Sequence, residues 1–237
     1  MASLHFLANP ARFRRFTASV LLPLSIMTAV LLGIGVYLAL IASPPDYQQG
    51  ETVRIMFVHV PSAWLSMAGY ALLAALGAAL LVWRHPLAAL MARASAPVGA
   101  VFAAICLITG SLWGRPMWGA YWVWDARLTS MLLLFFLYLG HIALSRAYDD
   151  PERGDRAAAI LALVGAINLP IIKFSVDWWN TLHQPASVAR LGGPSIHTSI
   201  LIPLLVMAAA LLLLYVTVVL VRTETEIDRR RLETADD

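Results

Sequence analysis

Two histidines, His59 and His183, lie close to tryptophans in the sequence, and each is in or at the edge of a predicted loop. His59 lies in the run Phe-Val-His-Val-Pro-Ser-Ala-Trp64, and His183 follows Trp178-Trp-Asn-Thr-Leu. An imidazole ring can bind a metal or exchange a proton near neutral pH. Burying an unpartnered imidazole near lipid is costly, so we expect each ring to have a partner. We predict that the two rings are ligands of one metal centre, with His197 as the competitor for the place of His183.

Tryptophan is concentrated around these histidines. Four tryptophans fall within the segment 113–125, which reads Trp-Gly-Arg-Pro-Met-Trp-Gly-Ala-Tyr-Trp-Val-Trp-Asp. We predict a platform for a large, flat, apolar ligand, because indole faces supply wide contact areas for aromatic rings. The predicted platform residues are Trp113, Trp118, Trp122, Trp124, Trp178 and Trp179. The alternative is an aromatic belt at the membrane interface, although a belt would place aromatic side chains at both interfaces.

Two imidazoles over an indole shelf suit haem, since histidine is a common axial ligand of haem iron. Zinc is the competing metal, but it usually takes three or four protein ligands, and the nearby carboxylates lack such a spacing. Arg115 and Arg127 flank the tryptophan segment and are candidates to pair with the haem propionates. Arg127 could instead extend its charge to the interface from a helix end. Asp125 is predicted to cap the next helix and to orient Arg127.

The composition requires lipid around these residues. Of 237 residues, 60% are hydrophobic and 13% charged, against about one half and one quarter in soluble domains. We predict an all-α integral membrane protein with one six-helix domain over residues 1–237, because six apolar stretches are 18 residues or longer. The predicted helices are 17–42, 55–82, 95–112, 127–147, 157–175 and 196–221. The apolar runs are continuous, which argues against a β-barrel, and the single cysteine, Cys106, excludes an internal disulfide.

The distribution of arginine predicts the orientation. Most arginines lie near the N-terminus, in the second and fourth connections between the predicted helices, and near the C-terminus. The positive-inside rule therefore places both termini in the cytoplasm. The three remaining loops, about 43–54, 113–126 and 176–195, then face outward and carry the histidines and the tryptophan-rich loop. Residues 222–237 are expected to form a solvated cytoplasmic tail. The first apolar stretch exceeds the roughly 7–15 residues of a signal peptide core, so we expect a retained helix.

The segment from Trp113 to Arg127 resembles the tryptophan-rich "WWD" motif of haem-handling membrane proteins. The contexts of His59 and His183 are similar to those of the haem exporter protein C (CcmC) family of cytochrome c maturation system I, and the similarity spans about residues 54–200. This resemblance implies that haem b (heme) binds on the periplasmic face of the bacterial inner membrane with His59 and His183 as axial ligands. It further implies presentation of haem to the chaperone CcmE, with CcmD and the ATP-binding cassette complex of CcmA and CcmB as partners.

These residues are compatible with one predicted function and two alternatives. We predict a protein that holds and presents haem and is not an enzyme of conventional turnover. A transmembrane permease for haem or another solute is the first alternative, but the predicted helices carry few ionisable residues at mid-membrane. A haem lyase like the larger CcsA-type synthases is the second, and the short chain argues against it. Nucleic acid is not an expected partner, because the arginines are dispersed over the predicted cytoplasmic segments.

Overall fold

The computed structural model of the protein describes residues 9–185, 187–188 and 190–236, with side chains as far as 233. This part of the chain is helical and contains one isolated bridge, between Asp46 and Gly50, but no strand. The helices are α1 (Pro10–Tyr37), α2 (Met56–Trp83), α3 (Pro86–Trp118), α4 (Ala126–Leu144), α5 (Pro151–Gly165), α6 (Asn168–Trp178) and α7 (Thr198–Asp236). A π-helical turn, Leu38–Ala42, extends α1, and a 3₁₀ turn, Glu51–Ile55, precedes α2.

Six spans are long and apolar enough to cross a membrane, which confirms the predicted all-α membrane fold. They are Pro10–Ala42, Glu51–Trp83, Pro86–Trp118, Ala126–Leu144, Pro151–Trp178 and Thr198–Glu233. Several begin before the apolar stretch of the sequence, because capping residues start the helix early. Asn9 and Asp150 each accept a hydrogen bond from the backbone two residues on, and a proline occupies the first helical position after each.

The tryptophan-rich segment is not one loop, which corrects the sequence prediction. Helix α3 continues through Trp113 and Pro116 and ends at Trp118. Gly119 ends the helix with φ of +76°, a left-handed conformation that glycine adopts without steric cost. The predicted end at 112 followed the end of the apolar run, but the helical hydrogen bonds continue across the polar residues. Only 119–125 therefore lies between α3 and α4.

The fifth span is broken between α5 and α6. Pro170 is the third residue of α6; proline lacks a backbone N–H, and its ring clashes with the carbonyl four residues earlier, here that of Ala166. The helix is interrupted at 166–167 and resumes at Asn168. The buried amide of Asn168 donates from Nδ2 to the carbonyl oxygen of Ser130 at 2.8 Å, which ties the restarted helix to α4.

The core lies where α2, α3 and α4 meet. Tyr70, Leu73, Leu134 and Tyr138 are fully buried there. The hydroxyl of Tyr138 donates to the carbonyl oxygen of Ser66 at 2.7 Å, so the apolar core also satisfies this buried polar group. We call the end of the bundle where the described chain begins and ends, at residues 9 and 236, the inner end. The opposite end, with the loops 43–50 and 119–125 and the described part of 179–197, is the outer end.

At the inner end the C-terminal part of α7 packs against the bundle, in contrast to the expected solvated tail. Thr223 and Ile227 are buried. Arg230 and the buried Arg93 of α3 both pair with the buried carboxylate of Asp155 of α5. A charge inside a helix bundle is stable only when paired. This network therefore holds three helices together, and the charged residues that suggested a solvated tail make these contacts.

Candidate functional site

His59 lies in the first turn of α2, at the outer end of the bundle. Its Nδ1 is 3.0 Å from the carbonyl oxygen of Cys106 and 3.1 Å from the hydroxyl oxygen of Thr109, both on α3. A carbonyl oxygen only accepts hydrogen bonds, so Nδ1 must carry the proton. The lone pair is then on Nε2, which is the arrangement of a metal-binding histidine whose other nitrogen donates to a backbone carbonyl.

Gly110 allows this close approach of the His59 ring to α3. A Cβ atom at position 110 would lie 2.9 Å from Cε1 of His59, which is closer than van der Waals contact permits. On the other side, the edge of the ring meets Trp113 with centroids 5.6 Å apart at 75°. The indole N–H of Trp113 donates to Oε1 of Gln49 at 3.0 Å, so the first outer loop is tied to the same group. The ring of His59 is thus held from several sides.

His183 lies in the outer loop that follows α6. Its ring packs on Trp118, with centroids 4.8 Å apart. Burial, with a further contribution from the positive charge of Arg127, lowers the pKa of His183 to about 4. The ring is therefore neutral at pH 7, as a metal ligand must be. Its Nδ1 is buried without a hydrogen-bond partner among the described residues, and Oδ2 of Asp125 lies 3.7 Å away.

The two histidines line the same cavity. This cavity has a volume of about 320 Å³, and a smaller one of about 70 Å³ adjoins it. The residues that line both are His59, Ala63, Met67, Gly110, Arg127, Ile172 and His183. A volume of this size is at the lower end of the range for ligand sites. The chain thus brings two imidazoles and one guanidinium together from three separate parts of the sequence.

The tryptophans divide into two groups. Trp113 and Trp118 line the larger cavity, and Trp122 lines the smaller one with its indole nitrogen buried and unpaired among the described residues. By contrast, Trp124, Trp178 and Trp179 line neither cavity and are 75%, 57% and 51% exposed. The structure therefore does not bring these three to the predicted platform. Trp64, which the sequence prediction did not include, does line the larger cavity.

The helical period explains the position of Trp178. Ile172 and Ser175 form the buried face of α6, whereas Trp178 lies on the exposed face with Phe174. The rings of Phe174 and Trp178 stack there with centroids 5.3 Å apart. The sequence places Trp178 close to His183 along the chain, but the period of the helix directs its side chain away from the cavity.

The two predicted arginines also differ. Arg127 lines both cavities and donates from Nε to the hydroxyl of Ser175 at 2.9 Å. Arg115 lines neither: it donates to the carbonyl oxygen of Gly119 at 2.6 Å, and its guanidinium lies over the ring of Tyr121. The structure supplies a different second cation, Lys173, on the larger cavity. Lys173 is the only lysine of the chain, and its place inside an apolar stretch was a signal for function.

Asp125 caps α4, as predicted. Its Oδ1 accepts the backbone N–H of Leu128 at 2.8 Å. It makes no hydrogen bond or ion pair with Arg127, whose guanidinium donates to Ser175 and to the carbonyl oxygen of Lys173. His197 lies outside both cavities, with its Nδ1 2.9 Å from the hydroxyl oxygen of Ser199. Among the described residues, no cluster of three histidine, cysteine or carboxylate side chains could hold a metal ion by itself.

Comparison with known proteins identifies the family. The model of the family described as "Heme exporter protein C" matches residues 3–236. The chain belongs to the heme exporter protein C family. It is 63% identical over 226 residues to "Heme exporter protein C" of Bradyrhizobium diazoefficiens, covering 95% of this chain and 86% of that one. It is 46% identical to that of Haemophilus influenzae over 224 residues, or 94% and 91% of the two chains.

The chain is also similar to a protein named as mitochondrial. A ccmC-like mitochondrial protein of cytochrome c biosynthesis from Marchantia polymorpha is 47% identical over 180 residues, which is 76% of each chain. The similarity to heme exporter protein C covers all six spans, because the family match runs from residue 3 to residue 236.

Proposed function

We propose that the protein binds haem b at the outer end of the bundle, with His59 and His183 as the axial ligands of the iron. The observation that carries this proposal is that both imidazoles line one cavity although they are far apart in the sequence. The family name supplies the class of ligand. Trp113 and Trp118, which each pack against one of the two histidines, would contact the flat macrocycle.

The cavity has the polarity that an amphipathic macrocycle requires. Apolar side chains such as Met67 and Ile172 line the part shared by both cavities. Arg127 and Lys173 line the larger cavity together with Asp46 and Asp177, and neither cation lies within ion-pair distance of a carboxylate among the described residues. These two cations are the proposed partners of the two haem propionates, because guanidinium and ammonium groups form strong, charge-assisted hydrogen bonds with carboxylates.

The proposed role is presentation and transfer in cytochrome c maturation, without a turnover reaction of its own. Haem held at the outer end would be offered to the haem chaperone CcmE for covalent attachment. The proposed partners in this process are CcmD and the ATP-binding cassette complex CcmA/CcmB, which would supply nucleotide hydrolysis. The family membership and the position of the cavity at one end of the bundle support this proposal.

The proposed location is the bacterial inner membrane, with both termini in the cytoplasm and the haem site on the periplasmic side. Arginines such as Arg12, Arg84, Arg146 and Arg229 lie at or next to the inner ends of the spans, as expected for the cytoplasmic side. Single cysteines introduced near each end of the chain, and labelled in whole cells with a membrane-impermeant reagent, test this orientation. Labelling of either terminus without cell lysis would contradict it.

The haem proposal is tested by the absorption spectrum of the purified full-length protein. We expect a bis-histidine haem spectrum for the wild type, and loss or clear change of that spectrum for His59→Ala and for His183→Ala. His197→Ala is the matched control and should keep the wild-type spectrum. Unchanged spectra for both ligand variants would refute the assignment. Haem uptake into sealed vesicles that contain this protein alone would favour the permease instead.

A further inference from the structure

The carboxylate of Asp125 lies between helix α4 and the loop that carries His183. Its side chain is only 5% exposed. Oδ1 accepts the backbone N–H of Leu128, and Oδ2 accepts the hydroxyl of Thr181. The hydroxyl oxygen of Thr181 in turn accepts the backbone N–H of His183 at 3.1 Å. Capping α4 uses Oδ1, and Oδ2, which accepts the Thr181 hydroxyl, keeps a second lone pair for a further hydrogen bond.

That second oxygen faces the imidazole of His183. Oδ2 lies 3.7 Å from Nδ1 of His183, and this nitrogen is buried with no hydrogen-bond partner among the described residues. A hydrogen bond between these atoms would have a length of about 2.7–3.2 Å. A small rotation of the ring would close the remaining gap of about 0.5–1 Å. Hydrogen bonds at binding sites are often long without the ligand and shorten when it binds.

We propose that Asp125 is a positioning residue for His183: its carboxylate holds the proton on Nδ1 and directs the Nε2 lone pair towards the bound ligand. This inference rests on the proposed function, in which His183 binds haem iron. A carboxylate that accepts the Nδ1 proton fixes the tautomer, orients the ring and makes the other nitrogen a stronger donor. Capping explains the contact with Leu128 and loop anchoring explains the contact with Thr181, whereas this role explains why the carboxylate also faces the unpaired Nδ1 of His183.

The two axial histidines are then unequal. Nδ1 of His59 faces the neutral carbonyl oxygen of Cys106, whereas Nδ1 of His183 faces a negative charge. The negative charge increases the electron density on the His183 ring, and this favours ferric over ferrous iron. Asp125 therefore stabilises the oxidised form of the bound haem through His183, whereas Nδ1 of His59 contacts no carboxylate among the described residues.

The substitution Asp125→Asn separates this role from capping. The amide oxygen still accepts the N–H of Leu128, while the NH₂ group that replaces Oδ2 cannot accept a proton from His183. Thr181→Val is the matched control, because it removes the hydroxyl that holds the loop but leaves the carboxylate beside the imidazole. A structural role for Asp125 in holding the loop would affect both variants equally.

The first measurement uses the haem-free, full-length protein. Nitrogen NMR of ¹⁵N-histidine-labelled protein reports the ratio of the Nδ1–H to the Nε2–H tautomer of His183. The signals of His183 are identified by their loss in the His183→Gln variant. Hydrogen bonds to charged groups change such an equilibrium roughly 10- to 100-fold. We expect Asp125→Asn to lower the ratio by about that factor and Thr181→Val to leave it unchanged. An unchanged ratio in Asp125→Asn, or an equal change in both variants, would overturn the inference.

The second measurement uses the haem-bound protein. Loss of such an outer partner typically costs 10- to 100-fold in metal affinity. We expect Asp125→Asn to weaken ferric haem binding by about this factor and to raise the reduction potential of the haem by about 59 mV for each tenfold loss of ferric preference. Wild-type potential and affinity in this variant would overturn the inference. If the wild type itself bound no haem, the proposed function would fail, while the tautomer ratio would still decide the role of Asp125.

Discussion

Replacing Gly110 with alanine tests whether helix α3 determines the position of the His59 ring. The added Cβ would lie 2.9 Å from Cε1 of His59, whereas ordinary contact begins at 3.4 Å, so the ring must move by about 0.5 Å or more. Two short contacts to Cys106 and Thr109 oppose this movement. Overpacking of this kind costs about 1–3 kcal/mol. Alanine also gains up to about 1 kcal/mol over glycine inside a helix.

These magnitudes give separate expectations for stability and for binding. The net change in the free energy of unfolding should lie between no change and a loss of about 2 kcal/mol, because the helix propensity offsets part of the strain. A displaced imidazole should weaken haem binding by about 10-fold or more, since 1.4 kcal/mol corresponds to a factor of ten. Thermal unfolding in detergent and haem titration of the purified protein measure the two effects.

A double-mutant cycle with His59→Ala separates the clash from other causes. Without the imidazole, Gly110→Ala should become neutral or stabilising, because the atom it meets is absent. Gly33→Ala is the control, since nothing lies within 4 Å of a Cβ atom at that position of α1. It should leave haem binding unchanged. An equal loss of stability from Gly110→Ala with and without His59 would refute the reasoning.

Three further expectations concern the inner network, the pH dependence and the tryptophans. Asp155→Ala removes the carboxylate that pairs with the buried Arg93 and with Arg230, and it should cost about 3–5 kcal/mol of unfolding free energy. Loss of the exposed pair in Arg153→Ala should cost less than about 1 kcal/mol, and chemical denaturation measures both changes. The pKa of His183 falls from 6.5 to about 4 on folding, so between pH 4 and pH 6.5 the unfolded chain binds more protons than the folded chain. The free energy of unfolding should therefore rise with pH across that range. His183→Gln should flatten the curve of stability against pH there, and an unchanged curve would show that the ring is not buried. Trp118→Ala should weaken haem binding about 3- to 10-fold through loss of an aromatic contact, while Trp178→Ala should leave the affinity unchanged.

The site was partly predictable from the sequence. His59, His183 and Arg127 were selected for their residue types and their neighbours, and the structure places all three on one cavity. Trp178 and Arg115 were selected in the same way and point elsewhere. Proximity along the chain does not determine the direction of a side chain. That direction depends on the helical period and on where the helix ends.

The sequence by itself determined the six apolar spans, since continuous apolar runs of this length require lipid and helical hydrogen bonding. It also determined the capping role of Asp125, because capping is a contact between neighbours in the chain. Only the tertiary structure decided that Lys173 shares a cavity with the two histidines and that Arg230 pairs with Asp155. These contacts join helices that are distant in the sequence, and local patterns do not specify how such helices pack.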